Sequence, residues 1–293
     1  MNPSNSSSWV AALLMATLSN ATPLILAAMG GVLSERAGVV NIALEGLILA
    51  GAFAGAAFGQ QSSTTGMIAV LIVGAALGFL HAFLTQKAKM NHVVSGLGIT
   101  LLVIGATRYL NLKFFATGLN IPGIDKQVFL ILACIMPFAV LFLLNRTTFG
   151  LRLRAVGENP ESARMTGISS ALPRYAAVTL SGILAALAGA YLSMGDARTF
   201  STGMSSGKGY VALAAVIFGR WNPLGATLGA LFFGFFFSLQ SQMQIFGWKL
   251  NFLGVEWTSP ILLDTLPYVM TLIALLSTVG RATPPAALGK EED

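Results

Sequence analysis

Trp9–Leu33 reads WVAALLMATLSNATPLILAAMGGVL, and no charged side chain occurs before Glu35. A bilayer core about 30 Å thick takes roughly 20 apolar residues as a helix. A helix is also the only open-ended element whose backbone pairs with itself in lipid. This stretch therefore predicts a membrane span. A secretory signal opens with basic residues, and this run has none before it, so it is expected to be retained. Comparable runs follow at Val39–Gly59, Gly66–Gln86, His92–Leu110, Gln127–Asn145, Tyr175–Met194, Pro223–Gln244 and Pro260–Gly280. A shorter apolar piece, Gly209–Gly219, is too short for an ordinary crossing. The expected fold is an all-α polytopic membrane protein, one domain over residues 1–293, with about eight full spans and one short or broken helix.

Composition agrees. Hydrophobic residues make up 55% of the 293, and mean hydropathy is +0.76. Charged residues are 10%, where a soluble domain carries roughly 25%. So few charges cannot coat a water-facing surface, which excludes the soluble and disordered classes. The single cysteine, Cys134, cannot bridge internally and reads as a small buried hydrophobe. The net charge of +6 reflects basic loops, since no Lys/Arg run interleaved with aromatics points to nucleic acid.

The basic residues orient the chain. Arg146, Arg152, Arg154, Arg164 and Arg174 crowd one polar segment, which places it in the cytoplasm. If Gly209–Gly219 crosses, Arg36, Lys87, Lys89, Arg220, Arg281 and Lys290 join them inside. Arg108, Lys113, Lys126, Arg198, Lys208 and Lys249 fall outside. The N-terminus is then outside, and the tail 281–293 is cytoplasmic. Gly51, Gly55 and Gly59, Gly74 with Gly78, and Gly225 with Gly229 repeat every four residues, the spacing of close helix contacts in lipid. The 32 glycines also suggest broken helices, which line binding sites in many transporters.

No energy-yielding motif is present. Gly203-Met-Ser-Ser-Gly207-Lys208-Gly209 has three residues between its glycines and no hydroxyl after the lysine, so it is not a phosphate loop. It is expected to be a flexible loop on the outer side. His81 and His92 are poorly spaced for a metal, and no nucleophile elbow occurs. No catalytic residue, metal or cofactor is expected. Glu45, with Asn41 one turn before it, is the clear mid-span acid. Two readings stand side by side: a carboxylate satisfied by neighbours or Arg36, or a pair shaping the inner half of a translocation path.

The polar segment 146–173 has a local architecture. Asn159 can cap a helix, Pro160 suits its first position, Glu161 favours its N-terminus and Gly167 is a left-handed stop. About two turns of helix would be marginal alone in water. They make sense docked in a groove of a cytoplasmic partner.

Gly150-Leu-Arg-Leu-Arg-Ala-Val-Gly-Glu-Asn-Pro-Glu-Ser-Ala-Arg-Met-Thr-Gly-Ile168 resembles the cytoplasmic loop of ABC importer permeases of the branched-chain amino acid, ribose and nucleoside branch. Leu33-Ser-Glu-Arg-Ala-Gly-Val-Val-Asn-Ile-Ala-Leu-Glu-Gly46 is similar to the second-span signature of the nucleoside type. Lys89–Gly96 and Ala212–Gly225 are similar to the same subgroup. The subgroup often reads Asn-Gln or Asn-Glu where this chain has Asn91-His92, and Asn where it has Thr100.

The resemblance implies a permease subunit of an ATP-driven importer in the bacterial inner membrane, without its own ATPase and forming half of the translocation pathway. It implies three protein partners: a cytoplasmic ABC ATPase, a second and longer permease, and an extracytoplasmic substrate-binding lipoprotein. The solute the resemblance implies is a nucleoside, whose flat base and ribose suit stacking and amide contacts from Phe53, Asn41, Tyr109, Asn111 or Phe200, with simple sugars or branched-chain amino acids as alternatives. An ion-coupled secondary carrier is the alternative of another class, disfavoured by the scarcity of intramembrane charge. Gly157, Glu158, Asn159, Pro160, Ala163, Arg164 and Gly167 would form the coupling segment on the ATPase. Asn41, Glu45, Asn91, His92 and Phe53 are the candidate pathway residues.

Overall fold

The computed structural model describes residues 6–114, 121–246 and 283–290, the segments 250–252 and 255–257, and positions 265, 268–270, 272–273 and 276. The helices are α1 (Ser6–Arg36), α2 (Leu44–Gly59), α3 (Ser63–Gln86), α4 (His92–Phe114), α5 (Lys126–Arg146), α6 (Thr148–Glu158), α7 (Pro160–Met165), α8 (Ala171–Ala190), α9 (Lys208–Phe218) and α10 (Pro223–Phe246). A π-helical turn, Tyr191–Asp196, extends α8. Two three-residue strands, Leu250–Phe252 and Val255–Trp257, pair antiparallel after α10, the one extended element among the described residues.

Six helices are long and apolar enough to span: Trp9–Arg36, Ser63–Gln86, His92–Lys113, Lys126–Arg146, Ala171–Asp196 and Pro223–Ile245. Leu44–Gly59 and Lys208–Phe218 are shorter apolar helices. The expected full span from Val39 is thus corrected. Residues 37–43 are not helical, and α2 supplies 16 residues, about 24 Å. The expected span Pro260–Gly280 lies largely outside the described residues.

Contacts place the helix ends. Arg174, in the first turn of α8, donates from Nε to the Ala37 carbonyl at 3.0 Å and from Nη1 to Gln86 Oε1 at 3.1 Å. The start of α8 therefore meets the ends of α1 and α3. Met194, at the other end of the α8 extension, lies against Gly59 and Gly66. Trp221 returns to Arg36, whose Nε donates to its carbonyl at 2.8 Å. Residues 197–218 thus carry the chain from the Gly59 end back to the Arg36 end. Helix α9 covers only about 16 Å of that distance. The short segment belongs to a broken crossing and does not turn back. Residues 283–290 also reach the Arg36 end, through a 3.0 Å bond from Gly289 N to the Gly38 carbonyl. The described chain begins at one end and finishes at the other.

Helix α8 is the hub. Its most apolar window is 83% buried, against 28–44% for the other five long helices. Small residues allow this: a Cβ on Gly182 would sit 2.3 Å from the Gly74 carbonyl oxygen and 2.8 Å from Gly78 Cα. The four-residue glycine repeats therefore serve backbone-to-backbone packing, which must replace the absent hydrophobic drive between helices in lipid. Outward faces of α3, α4 and α5 carry exposed Ile72, Leu101, Ile131 and Phe138, suited to hydrocarbon.

Candidate functional site: two breaks in the membrane helices and a helical elbow

The first break follows α1. Gly38 takes φ +91°, a left-handed conformation open to glycine. Backbone released from a helix at membrane depth needs partners inside the protein. Here Ser34 Oγ donates to the Val39 carbonyl at 2.7 Å. Val40 is held from both sides by two histidines. Its N–H donates to His92 Nδ1 at 3.3 Å, and its carbonyl lies 3.1 Å from His81 Nε2. Since a carbonyl only accepts and an N–H only donates, His81 carries a proton on Nε2 and His92 Nδ1 is bare. His81 Nδ1 contacts Ser95 Oγ at 2.9 Å. The histidines that look unrelated in sequence are thus joined by one residue between them. His92→Leu should leave the partly buried Val40 N–H unpaired and destabilise the fold by about 1–3 kcal/mol. Thermal unfolding of the purified chain in detergent measures this, and an unchanged midpoint would contradict the bracket.

Asn41 is fully buried and donates from Nδ2 to Ser181 Oγ on α8 at 2.8 Å. Its Oδ1 has no partner among the described residues. Asn91 is exposed and caps α4, accepting at Oδ1 from Val93 N at 2.9 Å. It does not join Asn41.

The second break precedes α9, and Glu45 holds it. Glu45 Oε1 accepts from Ser205 Oγ at 2.6 Å and Gly207 N at 2.9 Å, while Oε2 accepts from Gly209 N at 2.8 Å. Free N–H groups at a helix start favour an anion, and a carboxylate of the same chain occupies this one. The Glu45 carboxylate is satisfied by the start of α9, where the sequence offered its neighbours or Arg36 as partners. The Gly203–Gly209 segment is correspondingly not a free outer loop. Its glycine spacing was legible, but only folding brings Glu45 to it. Gly209 is tight because a Cβ there would lie 2.3 Å from Glu45 N.

Phe53 stands two turns beyond Glu45 on α2 and meets Phe200 edge-on, centroids 5.2 Å apart. It also borders a cavity of about 370 Å³ between α2, α3 and α4. Among that cavity's lining residues only Thr107 is polar, so it offers little to a hydroxylated solute. Tyr109 is 60% exposed on α4, beside Lys113, whose Nζ is 5.1 Å from the ring centroid. Tyr109 and Phe53 do not converge.

The signature stretches Leu33–Gly46 and Ala212–Gly225 meet at the Arg36 end. Trp221 Nε1 donates to the buried Glu35 carboxylate, and Arg36 Nε holds the Trp221 carbonyl. Arg220 and Trp221 have φ of +54° and +55°. Two consecutive non-glycine residues in that region persist only where surroundings over-determine them, and Glu35 and Arg36 do so.

The elbow lies at the same end. Thr147 caps α6, accepting from Gly150 N at 3.1 Å. Asn159 caps α7, accepting from Ser162 N at 2.9 Å, with Pro160 in its first turn. Gly167 ends the turn at φ +81°. Helix α6 itself was not expected from the sequence. Gly157 and Ala163 face inward: a Cβ on Gly157 would lie 2.0 Å from the Arg36 carbonyl oxygen, and Ala163 is 4% exposed. Arg174 is also buried, which removes it from any outward-facing basic patch. Glu158 and Arg164 are exposed. Apolar side chains that sequence reasoning passed over stand out here: Met165 is 81%, Leu172 70% and Leu151 61% exposed. Leu172 lines a groove of about 390 Å³ together with Thr148, Arg152, Thr166, Gly167 and Ile168.

Multiple long apolar helices around a buried hub, with two breaks stitched by polar side chains, define a multi-pass helical membrane protein. The chain belongs to the family described as branched-chain amino acid transport system / permease component, whose pattern matches residues 13–275. It is therefore an ABC importer permease and carries no ATPase activity of its own. Among its relatives are the nucleoside ABC transporter permease NupC of Lactococcus lactis subsp. cremoris, 36% identical and covering 92% of each chain, and the guanosine ABC transporter permease NupQ of Bacillus subtilis, 36% identical over 94% of each. A putative glucose ABC transporter permease of Haloferax volcanii, TsgC13, is 34% identical over 94% of this chain and 93% of its own. No solved structure matches the chain.

Proposed function

We propose that this chain forms half of the translocation pathway of an importer for nucleosides, with a second, longer permease as the other half. The nucleoside assignment rests on the two relatives named for nucleoside or guanosine transport, each similar across nearly the whole chain. Simple sugars are the second reading, favoured by the putative glucose permease at 34% identity. The Arg36 end is cytoplasmic in this reading, because the loop holding Arg146, Arg152, Arg154 and Arg164 lies there. The membrane is the bacterial plasma membrane. A lipoprotein delivers solute at the opposite end.

Helices α6 and α7 then meet the ATPase. Support comes from Met165, Leu151 and Leu172, three large apolar side chains exposed at a helix end that faces water. Asn159, Pro160 and Gly167 set the start and stop of α7, Glu158 and Arg164 supply charge at its edge, and Gly157 and Ala163 seat it on the permease. Asn41, Glu45, His92 and Phe53 act on the pathway by holding the two breaks in shape, and Asn91 by starting α4. ATP binding moves the elbow, and the breaks let half-helices shift without exposing unpaired backbone.

The test is uptake into proteoliposomes holding the chain, a second permease, the ATPase and the binding protein. ATP-dependent accumulation of labelled guanosine or uridine, unaffected by excess glucose or ribose, is the expected result. Accumulation of sugar alone would overturn the nucleoside assignment, and uphill uptake by this chain without the ATPase would overturn the whole reading.

A further inference from the structure

Residues 285–290 form a tight turn whose outward donors reach two different parts of the molecule. Leu288 N donates to the Pro285 carbonyl at 3.0 Å and Lys290 N to the Ala287 carbonyl at 3.2 Å. From this turn, Ala287 N donates to the Gly157 carbonyl at 3.0 Å, in the last turn of α6. Ala286 N approaches Glu158 Oε2 at 3.3 Å. Gly289 N donates to the Gly38 carbonyl at 3.0 Å, two residues before the bracketed Val40. The Ala287 side chain is 4% exposed and its carbonyl oxygen is 3.3 Å from where a Gly38 Cβ would be, while Leu288 packs on the main core.

We propose that this turn is a strap that ties the elbow to the first break, making Ala287 and Gly289 positioning residues for transport. It rests on the reading of α6–α7 as the surface moved by the ATPase. The physical reason is the kind of bond involved. Backbone-to-backbone hydrogen bonds have no flexible side chain to take up slack. A shift of Gly157 must carry the strap, and the strap must carry Gly38, unless the two hydrogen bonds break and Ala287, 4% exposed, is uncovered. Gly157 also lies directly on the Arg36 carbonyl. The elbow thus grips the break from two sides, through α1 and through the strap.

The experiment uses the complete complex in proteoliposomes and reads two quantities: ATP hydrolysis stimulated by loaded binding protein, and solute taken up. Ala287→Arg has no room for its side chain and lifts the turn while leaving α7 untouched. A chain ending at Pro284 removes the strap. Both should keep hydrolysis within about twofold of the parent while solute moved per ATP falls at least about fivefold, the lower range of ordinary coupling between sites. Where either fails to assemble by size exclusion, the smaller Ala287→Val takes its place. Unchanged solute per ATP, or hydrolysis and uptake falling together, would overturn the strap. Met165→Asp runs alongside. If it leaves uptake unchanged, the elbow reading itself has failed; if it abolishes uptake while the strap variants stay coupled, only the strap has.

Discussion

Glu45→Ala should be among the most destabilising single changes in this chain, lowering stability by about 3–5 kcal/mol and abolishing uptake. The carboxylate accepts from Ser205 Oγ, Gly207 N and Gly209 N. Truncation leaves two backbone donors at the start of α9 without partners, each costing about 1–3 kcal/mol where water is scarce. The hydroxyl of Ser205 can rotate, and contributes less. Glu45→Gln should fall between. Its carbonyl can still serve Ser205 and Gly207, but its amide nitrogen meets another donor at Gly209 N. Thermal unfolding in detergent gives the order, parent above Gln above Ala. An alanine variant as stable as the parent would mean that α9 does not depend on this carboxylate, and the account of the second break would fall.

Met165→Asp should do the reverse, leaving the permease folded and disabling the complex. At 81% exposure the side chain contributes little to the fold, and surface changes usually stay within about 0.5 kcal/mol. A central apolar anchor in a protein interface is worth about 2–4 kcal/mol, and seating a carboxylate in its pocket adds a desolvation cost. The expected result is at least about 100-fold weaker ATPase binding. Co-purification of the ATPase and ATP-driven uptake should both be lost while the melting curve stays put. Ala163→Arg offers the contrast. Ala163 is buried, so that variant should distort α7 and shift the melting curve as well. Normal co-purification with Asp at 165 would move the docking surface elsewhere.

Some of this was legible in the residues and some was not. Apolar runs and the Asn159-Pro160…Gly167 cap-and-stop pattern depend on neighbours in sequence, and six of the expected runs are long apolar helices in the structure. Helix α7 begins on the cap that its sequence announces. The interruption at residues 37–43 did not read, because a run such as Val39–Gly59 is equally apolar whether or not its first turn is helical. Glu45 was singled out as an acid in a span, but its partner is 160 residues away in sequence, at Ser205. Met165 was overlooked because a methionine in a short helix signals nothing until its exposure is known.

The amino-acid order by itself determined that this protein is built of membrane-crossing helices and where its capped polar elbow lies. Those are consequences of composition and local periodicity, and they survive any rearrangement of the helices. The tertiary structure alone decided that His81 and His92 share Val40, that Glu45 fills the start of α9, and that residues 285–290 span from Gly157 to Gly38. Each joins groups distant in sequence through bonds of about 3 Å, whose partners nothing short of the folded chain can select.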